Sequence, residues 1–180
     1  MATKKAVFGG GCFWCTEAIY KRIRGVKSVK PGYAGGYMDD PTYYQVSSGT
    51  TGHAEVIQVE YDPDVISYED LVDIFWEAHD PTQKNRQGND IGTQYRSIIL
   101  FANDEQRRIA EESLKAANES GQFDKPIMTE IQPLKTFYEA EDYHHDYFEN
   151  NPNQPYCRAV ISPKVRHFFE NYPKEKAKSI

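Results

Sequence analysis

The chain has 180 residues, a one-domain length, and a domain of this size buries about 70% of the surface its unfolded chain exposes. Lys and Arg number 21 against 27 Asp and Glu, a net charge of −6 with no basic block, which argues against a surface that tracks nucleic-acid phosphates. No apolar run approaches the roughly 20 residues needed to cross a bilayer, three cysteines are too few for a disulfide scaffold, and the start MATKKAVFGGG lacks the apolar stretch of a signal peptide, so the cytosol is the expected location.

No repeat or linker divides the chain, which reads as a single domain over residues 1–180 with a looser C-terminal segment from about residue 150. The first apolar run, Ala6-Val7-Phe8, stops at Gly9-Gly10-Gly11 and gives way to a helical pattern with Cys15, Ala18, Ile19 and Ile23 on one face: a strand, a tight turn and a helix. A loop rich in turn residues is expected from Pro31 to Gly52. From His53 the pattern alternates, which puts Glu55 on the same face as Ile57, Val59 and Tyr61. Ser67 with Asp70 marks a helix start, and Leu71, Val72, Phe75, Trp76 and His79 form its stripe. A polar loop from Asp80 to Thr93 leads into a buried strand, Ile98 to Phe101, and then a helix from Asp104 to Ser120. A strand around Met128 to Leu134 and a short helix around Glu139 to Glu149 complete the pattern. The order predicts an α+β two-layer sandwich with helices on one face of a largely antiparallel sheet.

Two positions carry chemistry on their own terms. Cys12 follows three glycines and stands where the helix begins, so free backbone N–H groups and the helix dipole are expected to draw its pKa below the usual value of about 8.5. The glycines point to backbone approach to a reacting group rather than to packing. Glu55, on the apolar face of a strand, is disfavoured as an anion and is expected to hold its proton. Cys12-Phe13-Trp14-Cys15 is also a C-x-x-C after a strand, as in general dithiol oxidoreductases, and Cys12, Cys15 and Cys157 could alternatively be ligands of a zinc-stabilised binding module.

The motifs Gly10-Gly11-Cys12-Phe13-Trp14, Gly32-Tyr33, Gly35-Gly36-Tyr37, Pro41-Thr42-Tyr43, Gly52-His53-Ala54-Glu55 and the run from Gln87 to Ser97 resemble those of the A-type peptide methionine sulfoxide reductases. The likeness continues through Phe137-Tyr138, Ala140-Glu141 and Tyr143-His144, nearly the whole chain. It implies a ferredoxin-like βαββαβ core with long coil segments wrapped around it. It also implies reduction of the S epimer of methionine sulfoxide, free or in proteins, with thioredoxin or a similar dithiol as donor and with no metal or other cofactor. Cys12 would be the nucleophile, Glu55 the acid, Tyr43 and Tyr95 the phenols that bind the sulfoxide oxygen, and Phe13 and Trp14 the wall for the substrate methyl group. Asp90 would organise the site, with His53 and His144 in support. No nucleic-acid or membrane partner is expected, and a monomer is.

The second thiol departs from the family pattern. Many members have glycine where Cys15 stands and resolve the sulfenic acid with a C-terminal cysteine, here Cys157 in Gln154-Pro155-Tyr156-Cys157. Cys157 on a mobile coil is placed first as resolving cysteine and Cys15 second, because a bridge at a helix start strains the Cβ geometry.

Overall fold

The computed structural model describes residues 3–178. In chain order the elements are β1 (Lys4–Gly9), α1 (Phe13–Tyr20), β2 (Val26–Ala34), α2 (Tyr43–Ser47), β3 (Ala54–Tyr61) and α3 (Tyr68–Ala78). They continue with the hairpin strands β4 (Arg86–Gln87) and β5 (Asp90–Ile91), then β6 (Ile98–Phe101), α4 (Asp104–Glu119), β7 (Glu130–Pro133), β8 (Tyr138–Glu139), α5 (Tyr147–Asn150) and α6 (Ser162–Glu170).

The main sheet runs β7-β6-β1-β3-β2-β8, and its inner four strands with α1 and α3 make the ferredoxin-like βαββαβ arrangement. Every pairing is antiparallel except β6 with β7. Alternation along the strands separates the two faces. Ala6, Phe8, Ile57, Val59 and Tyr61 join Tyr20, Leu71, Phe75 and Ala110 of the helices in the main core, whereas Val7, Val56, Ile98 and Leu100 turn to the other face, under Leu134 and Phe137. The helices start as the sequence predicts: Ser67 and Asp70 form a reciprocal capping box on α3, and the Asn103 side chain accepts from the Gln106 N–H at the start of α4.

Three expectations are corrected. The segment read as the beginning of a long loop at Pro31 is the second half of a nine-residue strand, β2. Proline and glycine disguise it. Pro31 pairs with Ile57 and its carbonyl accepts the Ala140 N–H, and a Cβ on Gly32 would lie 2.4 Å from the Phe137 ring, so the glycine is what lets β8 cross closely. The helix expected over Glu139–Glu149 is broken into β8, a 3₁₀ turn at Asp142–His144 and the short α5. Pairing with β2 claims its first residues, and Asp146 takes φ +52°, a left-handed conformation that stops a helix passing through it. Cys157, expected on coil, opens a π-helical turn (Cys157–Ile161) that runs into α6.

Candidate active site

The last residue of β1 and the first residues of β3 lie on neighbouring strands at the same end of the sheet, and the candidate site is built there. Cys12 is the N-cap of α1 and is buried. The glycines ahead of it are required by packing, contrary to the sequence expectation. A Cβ on Gly9 would meet the Glu55 carbonyl at 2.9 Å, one on Gly10 would meet the His79 ring at 3.0 Å, and one on Gly11 would meet Gln87 at 2.8 Å, with φ at +91° besides.

Glu55 is 1% exposed, and its Oε1 accepts the N–H of Phe13 at 3.2 Å, so the carboxylate itself occupies the N-terminus of α1. Its Oε2 is buried without a partner. Burial pushes the Glu55 pKa up to about 8 against the pull of the Phe13 N–H, and the Asp90 carboxylate adds to the rise. Cys12 does not behave as the sequence predicts: burial first, then the hydrogen bond with Cys15 and the nearby Glu55 charge, push its thiol well above the usual range. The Trp14 N–H pulls the other way and loses, since the first N–H of the helix is already spent on Glu55. Cys15 moves in the opposite direction, held down by its hydrogen bond with Cys12 against burial, with help from Lys164 and Tyr156. All three cysteines are free and buried in one cluster, with Ala18 and Ile161.

Aromatic rings pack around the start of α1. Phe13 is fully buried and stacks near Tyr43 at 6.4 Å, while Trp14 faces Tyr43 at 6.4 Å on one side and Tyr147 at 3.9 Å on the other. Tyr43 begins α2, and Tyr95 ends a 3₁₀ turn. Burial and the Glu55 charge raise both phenols, which keeps them as hydrogen-bond donors at neutral pH. His144 is fully buried, accepts the Trp14 indole N–H at 3.1 Å, and is driven down to about 4 by burial, so it is neutral and orients the indole. Asp90 accepts the Tyr156 hydroxyl at 2.6 Å and lies close enough to raise Glu55. His53 stands apart from these contacts: its Nδ1 accepts the Gly36 N–H and its Nε2–H donates to the Met38 carbonyl, so it braces the turn after β2.

Four residues that sequence reasoning missed also shape the site. Glu141 accepts the Tyr33 hydroxyl at 2.8 Å and the Tyr43 N–H at 3.0 Å, tying β2 and α2 to the segment that carries His144; both lie inside motifs the sequence analysis quoted, which was the available signal. Tyr147 is the stacking partner of Trp14, and Tyr156 the partner of Asp90; 13 tyrosines leave neither distinguishable by type. Glu17, one turn beyond Cys12, is buried and accepts the Asp146 N–H at 3.0 Å. Among the described residues no three His, Cys, Asp or Glu side chains gather in a set that could hold a metal ion.

A thiol at a helix mouth beside a protonatable carboxyl, on a ferredoxin-like sheet, defines a thiol-dependent oxidoreductase class, and comparison with known proteins narrows it. The model of the family described as peptide methionine sulfoxide reductase matches residues 4–177. Peptide methionine sulfoxide reductase MsrA of Saccharolobus solfataricus is 57% identical over 168 residues, which cover 93% of this chain and 94% of that protein. The crystal structure of Mxr1 from Saccharomyces cerevisiae in reduced form superposes with a TM-score of 0.78 at 38% identity, covering 86% of this chain and 89% of that one. The same yeast protein in complex with Trx2 superposes at 0.55 and 28% identity, covering 81% and 84%. The chain belongs to the peptide methionine sulfoxide reductase family, and it is an oxidoreductase of the A type.

Proposed function

We propose that the chain reduces the S epimer of methionine sulfoxide, free or within polypeptides, to methionine, with Cys12 as nucleophile and Glu55 as acid. The observation that carries this reading is the pairing of a buried Cys12 thiol with a buried Glu55 carboxyl whose pKa is raised to about 8, beside one cluster of aromatic rings. Cys12 Sγ attacks the sulfoxide sulfur while Glu55 protonates the oxygen, the hydroxyl then passes from the substrate sulfur to Sγ as the new sulfur–sulfur bond breaks, and the thiol proton returns to Glu55, so the products are methionine and a sulfenic acid on Cys12. No proton is gained or lost overall. Tyr43 and Tyr95 donate hydrogen bonds to the oxygen, and Phe13 and Trp14 receive the methyl group. With oxygen, methyl and the attacking thiol each assigned a direction, only one configuration at sulfur fits. Asp90 supports the site through Glu55 and Tyr156, and His144 through Trp14; His53 acts at a distance, on the turn that precedes α2.

The sulfenic acid condenses with a second thiol and releases water. The hydrogen bond between Cys12 and Cys15, and the lowered Cys15 pKa, favour Cys15 as the first partner, and Cys157, in the same cluster, as the thiol that then exchanges with that disulfide. This reverses the order drawn from sequence, because Cys157 sits in a helical turn rather than on coil. A dithiol donor such as thioredoxin completes the cycle, in keeping with the solved yeast complex with Trx2. Among the described residues no helix is long and apolar enough to cross a membrane, and a cytoplasmic site of action fits a reaction that depends on reduced thiols.

Epimer-resolved reduction of methionine sulfoxide with a dithiol donor tests the reading. The wild-type protein consumes the S epimer alone and Cys12→Ser consumes neither. Equal consumption of both epimers, or near-normal activity in the variant, would refute it.

A further inference from the structure

Residues 152–161 form a strap over the cysteine cluster. Cys157 and Ile161 are fully buried on its inner side, while Pro152 to Pro155 are exposed. Among the described residues, the strap's side chains are tied to the rest of the protein by hydrogen bonds at one place, the Tyr156 hydroxyl. It donates to Asp90 Oδ2 at 2.6 Å and lies against the Cys15 thiol. Asp90 stands on β5, and its hairpin partner β4 carries the Gln87 that packs against Gly11. The Tyr156 ring meets Trp14 edge-on at 6.0 Å. A single phenol thus joins the strap to a hairpin that already touches the nucleophile's turn. The strap's own regular structure is a π-helical turn, a rare form that occurs mostly as single turns and frequently at functional sites.

We propose that the Tyr156–Asp90 hydrogen bond is a latch that holds the strap shut, so that Cys157 is withheld from outside reagents until the latch opens. The proposal rests on the reading of Cys157 as the thiol that carries the disulfide outward, and Tyr156 acts in it as a positioning residue. With the latch closed, the Cys12 sulfenic acid meets first the Cys15 thiol that is hydrogen-bonded to it: Cys12–SOH and Cys15–SH give the Cys12–Cys15 disulfide and water. Cys157, in the same cluster, then attacks the Cys15 sulfur as thiolate, forming Cys15–Cys157 and releasing Cys12 as a thiol after it takes up the proton Cys157 gave up, and opening of the latch exposes that disulfide. An exogenous dithiol then reduces Cys15–Cys157 and is itself oxidised to a disulfide. The order protects the buried intermediate: water and stray thiols are excluded while the sulfenic acid exists, and the donor is admitted once it is gone.

The reduced protein is treated with iodoacetamide without any substrate, and alkylation of Cys157 is timed by peptide mapping. Because no sulfoxide is present, the result stands whether or not the proposed reaction does. Tyr156→Phe keeps the ring against Trp14 and removes the hydroxyl; it is expected to speed Cys157 alkylation about tenfold, the scale of one lost hydrogen bond to a charged group. Asp90→Ala, which removes the other half, is expected to give the same acceleration, and the double variant no more than either single one. Cys157 alkylation at the wild-type rate in both variants would overturn the latch, as would additive effects in the double variant.

Discussion

Glu55 carries two opposed demands, since it must be buried to keep its proton and near the helix end to lose it. Its pKa, pushed up to about 8, makes it an acid at neutral pH, so the single-turnover rate should fall as pH rises through about 8. Glu55→Gln should lower that rate by about 10²–10⁴-fold at neutral pH and abolish the alkaline limb, as read by rapid-quench assays from pH 6 to about 10. The same group makes a stability prediction of definite sign. A carboxyl whose folded pKa is raised above the unfolded value of about 4.3 contributes its full stability below that value and loses it as pH rises through about 8. Glu55→Gln should therefore be more stable than the wild type above that pH in urea unfolding; a less stable variant there would contradict the assignment. Strand alternation alone placed Glu55 on the apolar face, and the structure agrees. The Cys12 pKa was not legible, because burial decides its direction first, with the Cys15 hydrogen bond and the Glu55 charge adding to it, and the burial and the approach of Glu55 are set by packing across the chain.

From the last residue of β1 the chain turns towards α1 through Gly9, Gly10 and Gly11, none of which leaves room for a side chain. Gly11→Ala would place a Cβ 2.8 Å from Gln87 at φ +91°, and should cost upwards of about 1 kcal/mol while shifting Cys12 relative to Glu55. Calorimetry and the first-turnover rate should fall together; an unchanged melting temperature would show that the turn relaxes freely. Beneath Gly10 lies His79, the C-cap of α3, whose Nδ1–H donates to the Phe75 carbonyl while its Nε2 accepts from Ser97, itself bonded to Thr129. Burial drives His79 down to about 4. The unfolded chain takes up this proton near the ordinary value of about 6.5, so stability should decline as pH falls from there towards 4. His79→Gln should flatten that decline in urea titrations. At this scale the sequence revealed the helices with clear caps and stripes. It concealed β2, whose Pro31 and Gly32 read as turn residues until the neighbour that needs them, β8, is in place.

The antiparallel pairing of β1 with β3 has a consequence for the molecule as a whole. Phe8 stands opposite Ile57 in that register, and continuing the ladder brings the glycine turn alongside Glu55. Slippage by one residue would send Ile57 and Val59 to the opposite face, each forfeiting about 1.5–3 kcal/mol of burial, and would carry Glu55 away from α1 with them. Chemistry and core are thus encoded in the same alignment, and no misregistered species can be partly competent. Recovery of first-turnover activity during refolding should therefore follow the same time course as burial of Trp76 and protection of the β1 and β3 amides against hydrogen exchange, with no early active phase. Two strands far apart in the chain act as the jig on which the reacting groups are assembled, so for this fold catalysis is a reading of whether the sheet has closed correctly.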